Sequence, residues 1–81
     1  MILPTLSING THKSELFAAA LEAKEKLEEA LTALKKTCPN GRDYQYAAPG
    51  ALDRALNEHA ARTRFLEWII SDMEQLAEHT Q

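Results

Sequence analysis

The sequence predicts an all-α fold: an antiparallel two-helix hairpin assembled into a four-helix or larger homo-oligomeric bundle. Three features predict it. Two long segments carry helical periodicity, one turn-rich connector separates them, and the apolar residues exceed what two helices can hide from each other. The expected layout is a single helical domain with an arm over 1–10, helix one over 11–38, a connector over 39–48 and helix two over 49–79.

Helix one is expected to start at Thr11, whose hydroxyl suits free backbone N–H groups, with Glu15 in the positive field of the first turns. Leu16, Ala20, Ala23, Leu27, Leu31, Leu34 and Cys38 recur by threes and fours, a stripe about 80° wide, which is a seam for one partner helix. Glu22 and Lys26 read as i,i+4 support on a solvated face. Lys35 and Lys36 suit the negative helix end, and Pro39 with Asn40-Gly41 stops the helix, Gly41 allowing a positive φ.

Helix two is expected to begin at Pro49, with a seam of Leu52, Leu56, His59, Thr63, Leu66, Ile70, Met73 and Ala77. Phe65, Ile69 and Leu76 project to one side and Trp68 further round, which widens the apolar arc over 65–77 to about 200°. Phe17 and Leu21 widen helix one in the same way. The hairpin reading gathers Phe17, Leu21, Phe65, Trp68, Ile69 and Leu76 at the end remote from the connector, as the oligomer interface. Two covers fit this surplus: a symmetry mate, or the chain's own arm through Ile2, Leu3, Leu6 and Ile8.

The other routes by which small chains gain stability are closed or poorly supported. Cys38 is the single cysteine, so no disulfide forms within the chain. His12, His59 and His79 are far apart and lack metal-ligand spacing, so neither metal nor cofactor is expected. The longest apolar run, Leu16 to Leu21, is far short of the roughly 20 residues of a membrane span, and the start of the chain has no signal-peptide pattern. The expected location is cytoplasmic, with no membrane contact. A net charge of −3 argues against duplex DNA as a partner.

The charge is uneven. Lys35, Lys36, Arg42 and Arg54 face only Asp43 and Asp53 across the connector region. There, Asn40, Arg42, Tyr44 and Tyr46, with Lys36 and Arg54, form the candidate ligand site: guanidinium forks for phosphate or carboxylate, and phenol faces for a base. The plainer reading has Tyr44 and Tyr46 plugging the bundle end while Arg42 pairs with Asp43 or Asp53. Catalysis finds little support, since no nucleophile has an adjacent base. His59 reads as a seam residue, Cys38 as a small apolar one, and Glu25, Glu28 and Glu29 as a solvated face.

"INGT" at 8–11, "PNGRDY" at 39–44 and "A…EH..R…L" at 55–66 resemble short, mostly uncharacterised helical-hairpin proteins of tailed phages and prophages. The resemblance covers most of the chain through a few short motifs. The resembled pattern has adjacent tyrosines after the aspartate, whereas Gln45 separates Tyr44 from Tyr46, so no specific role carries over to the second tyrosine. The resemblance implies a small accessory protein acting on host machinery in the host cytoplasm, not a virion enzyme. By analogy of size and architecture with other compact phage proteins, its oligomer would sequester a host ligand, a nucleotide immune signal or a host protein, to counter host defence. The alternative is a structural or regulatory coiled-coil adaptor with no small-molecule ligand.

Overall fold

A computed structural model describes residues 1–6 and 12–81. Its secondary structure is two helices, α1 (Lys13–Lys35) and α2 (Ala51–Thr80), with no strand among the described residues. At 1.5 Å per residue these are rods of about 35 and 45 Å. Packed against each other they give a body of 60 × 20 × 16 Å.

Side-chain size explains how they pack. Ala20, Ala55, Ala77, His59, Thr80 and Ile70 are the buried positions, and Ile70 is the one large aliphatic among them. Small residues at the crossing let two helices approach closely. Thr63 and Thr80 turn their hydroxyls back onto the carbonyls of His59 and Leu76, at 2.6 and 2.8 Å, so no polar group is stranded in the seam. Leu16, Leu27, Leu31, Leu34, Leu52, Leu66 and Met73 are half-buried as the seam requires. Leu56 instead remains 38% exposed while Ala55 takes the covered position.

The helices are not matched tip to tip. Lys24 Nζ lies 3.8 Å from Glu74 Oε1, and Phe17 and Leu21 share a groove with Ala77, Glu78 and Gln81. Carried along both axes, this register sets Lys35 beside Thr63. The first three turns of α2 therefore extend past the end of α1, and residues 36–50 span that offset.

The helix ends differ from the expected ones for local reasons. Thr11, the expected cap, and Ile8 of the arm lie outside the described residues; the residue preceding α1 is His12, which makes no side-chain capping bond. α1 stops at Lys35, and the chain unwinds through i to i−3 bonds, Thr37 N–H donating to Leu34 O at 2.9 Å and Cys38 N–H to Lys35 O at 3.3 Å. Cys38 is thus exposed and outside the seam. Pro49 is not the first residue of α2. It sits at the corner of a turn closed by Ala51 N–H to Ala48 O at 3.0 Å, with Gly50 next at φ 81° and ψ −2°, the type II geometry that favours Pro-Gly. Gly50, not Gly41, carries the positive φ.

By two measures the hairpin is extended for its mass. Its accessible surface is 6188 Å², against about 4,900 Å² for a compact monomer of this size. Its radius of gyration is 18.0 Å, where about 12 Å is usual. Among the described residues no large side chain is fully enclosed.

Candidate functional site

Two surfaces hold the candidate residues. The first is the outer flank of α2. At about 100° per residue, Trp68 stands opposite the Leu66, Ile70, Ala77 seam and Phe65 roughly 120° from it. Both are 61% exposed. Their rings meet with centroids 5.8 Å apart at an interplanar angle of 53°, a tilted aromatic contact. Together with Ala61, Arg64, Glu67 and Ser71 they line an open hollow. Arg64 and Glu67 take part in no ion pair among the described residues, whereas Arg62 pairs with Glu58 at 3.9 Å.

The expected interface set is not brought together as one patch. Ile69 and Leu76 fall on the Phe65 side of the seam, with Ile69 37% exposed and Leu76 half-buried. Phe17 and Leu21 lie on the other flank, in their groove with Ala77, Glu78 and Gln81. The observed register also separates Phe65 and Trp68 from Phe17 and Leu21 along the axis by roughly 14 to 24 Å, while Leu76 stays near the level of Leu21. Phe65 is near the midpoint of α2, not at the end remote from the connector. The expectation of a single apolar tip assumed that the two helices share their ends, and the overhang of α2 removes that assumption.

The arm does not close this flank. The Met1 amino group is 3.7 Å from Asp72 Oδ1, and His79 Nε2 donates to Pro4 O at 2.9 Å. These two contacts fasten residues 1–6 along α2 from Asp72 towards His79, beyond Trp68. Ile2 is 96% exposed. Covering the aromatic pair in cis is thus not achieved by residues 1–6.

The second surface is the connector. Asn40 organises it with its side chain: Oδ1 accepts from Asp43 N–H at 2.9 Å and Nδ2 donates to Asp43 Oδ2 at 3.0 Å. The first bond reaches three residues on, the spacing of a helix N-cap contact. Because Asp43 is held by Asn40, Arg42 does not pair with it; Arg42 is exposed, and among the described residues it, Lys36 and Arg54 form no ion pair. The tyrosines part company. Tyr44 is half-buried, and Tyr46 is 94% exposed, its hydroxyl accepting from Gln45 Nε2 at 3.2 Å. Only Tyr44 is placed to act as a plug. Arg54 folds towards Gly50, where an added Cβ would come within 3.1 Å of its Nη1. No hydrogen bond draws Arg42, Tyr46 and Arg54 towards one another.

Chemically, both surfaces are suited to contact. No group of three or more His, Cys, Asp or Glu that could hold a metal occurs among the described residues. Nor does a buried side-chain nitrogen or oxygen lack a hydrogen-bond partner, the usual sign of a group awaiting a ligand. No helix among the described residues is long and apolar enough to cross a membrane. Reading the sequence missed Arg64, Glu67, Ala61 and Ser71, although Asn57, Ala61, Arg64, Trp68 and Ser71 repeat by threes and fours opposite the seam. No family model matches this chain, and no curated protein or solved structure matches it either.

Proposed function

We propose that this chain is a non-catalytic binding protein that works as an oligomer of hairpins and captures an anionic or aromatic ligand at its connector. The observation that carries the reading is the exposure of Phe65 and Trp68, 61% each, on a protomer that fully encloses no large side chain among its described residues. Leaving such rings in water forfeits several kcal/mol, at about 25 cal/mol per Å². For a fold of this size that is a large share of total stability.

The ligand side of the proposal is supported by Arg42, Lys36 and Arg54, which form no ion pair among the described residues, and by Tyr46, which offers an open ring face. With the resemblance to phage accessory proteins, the ligand class proposed is a nucleotide, held in the host cytoplasm to blunt a defence signal. A thermal-shift screen with cyclic and linear nucleotides tests it. A binding nucleotide should raise Tm, and Arg42→Ala should abolish that rise while leaving the oligomer intact. No shift with any nucleotide, or a shift that survives Arg42→Ala, rejects this site.

The second reading is an adaptor without a small-molecule ligand. It is favoured by the separation of Arg42, Tyr46 and Arg54, which no hydrogen bond gathers into one cluster. In that case the aromatic flank recruits a protein, and Trp68→Ala disrupts the complex with that partner.

A further inference from the structure

The hollow around Phe65 and Trp68 faces away from α1, and its chemistry is complementary to itself. We propose that it is the interface between two copies of this chain, α2 packed antiparallel on α2 about a two-fold axis at the level of Leu66. This rests on the oligomeric reading above and adds to it a face, a direction and a register.

Such an axis sets Ala61 level with the second copy's Ser71, Arg64 with its Trp68 and Phe65 with its Glu67, the six residues that line the hollow. Any helical stripe of this spacing returns onto itself in that way, so the fit is decided by the side chains. Ala61 meets Ser71, small on small, which lets the helices approach. Arg64 lies across the indole of the second copy's Trp68, a cation over an aromatic face, with Glu67 one position away to accept its hydrogen bonds. Each contact occurs twice. Parallel pairing through the same face would bring Arg64 to Arg64 and Glu67 to Glu67.

The rest of α2 favours the same direction. Its first half carries Arg54, Arg62 and Arg64 against Asp53 and Glu58, a net charge of +1, whereas Glu67, Asp72, Glu74 and Glu78 follow with no further Lys or Arg. Antiparallel packing therefore keeps the two acidic second halves apart, each facing a half of net charge +1, and parallel packing sets them side by side. The elongated shape leaves surface to cover. The surface of 6188 Å² exceeds that of a compact monomer by about 1,300 Å², and a stable interface covers about 800 Å² per partner. Such a dimer carries its two connectors at opposite ends, each a separate ligand site.

The test uses the intact chain in sedimentation equilibrium at low ionic strength. Arg64→Glu and Glu67→Arg should each weaken self-association at least about tenfold, because each homodimer then holds two like-charge contacts. An equimolar mixture of the two variants should recover most of the wild-type association, because the mixed dimer restores both Arg–Glu contacts and keeps one of the two Arg64–Trp68 contacts. Wild-type association by either variant alone, or a mixture that stays weak, overturns the proposal. A mixture markedly tighter than the wild type also overturns it, by pointing to parallel pairing. Should a reversal unfold the chain, judged by far-UV circular dichroism, Arg64→Gln and Glu67→Gln replace it, and failure of each to weaken association about threefold rejects the interface. If the wild type is monomeric, both this interface and the oligomeric reading fall; if it self-associates with no response to these charges, only the interface does.

Discussion

Truncating Trp68 to alanine removes the largest exposed ring of the aromatic flank. The indole is 61% exposed, and a tryptophan presents up to about 250 Å², so about 150 Å² of it lies in water in the lone hairpin. At about 25 cal/mol per Å² that corresponds to about 4 kcal/mol per ring if the second copy covers it completely. Coverage at an interface is incomplete and truncation is partly relieved, so half of that, about 2 kcal/mol per ring, is the working figure for a hot-spot tryptophan. A two-fold dimer loses two rings. The expected weakening is about 4 kcal/mol, roughly a thousandfold in Kd. Sedimentation equilibrium over a wide concentration range reads this directly. Tyr46→Ala serves as the aromatic control for association, since Tyr46 is 94% exposed but stands on the connector. A Trp68→Ala chain that associates within about threefold of the wild type, a difference well below 1 kcal/mol, would refute the reasoning. So would an equal loss in Tyr46→Ala, because exposure alone would then account for both.

Two further substitutions probe the hairpin. Gly50→Ala places a side chain at φ 81°, with its Cβ 3.1 Å from Arg54 Nη1; the guanidinium can move aside but the backbone cannot, so a loss of about 1 kcal/mol and roughly 5 °C in Tm is expected by thermal circular dichroism. Ala20→Leu forces three extra carbons into a seam position that is 2% exposed, and chemical denaturation should show a loss of about 1 to 3 kcal/mol.

The helices were legible because their signal is repeated many times. From Leu16 to Leu34 and from Leu52 to Ala77, each apolar residue confirms the phase of the last, and two stripes joined by a turn-rich stretch leave little choice but a hairpin. The ends were less legible, since each depends on one backbone conformation: Gly50 turning left-handed moves the start of α2 past Pro49, and the loosening after Lys35 takes Cys38 out of the seam. Axial register was hidden altogether. It depends on the path of the connector between Lys35 and Ala51, which no periodic pattern marks, and it is this register that splits Phe17 and Leu21 from Phe65 and Trp68. At the candidate ligand site the residue types were readable, but not their arrangement: Asn40 claims Asp43, Tyr46 points out, and Arg54 leans on Gly50.

Trp68 and Phe65 together raise one question above the rest: whether the hairpin is a finished protein alone. Sedimentation equilibrium of the unmodified chain at micromolar concentration answers it most directly. A mass of at least twice the 9.1 kDa protomer is expected. A single 9.1 kDa species across the whole concentration range would contradict the account.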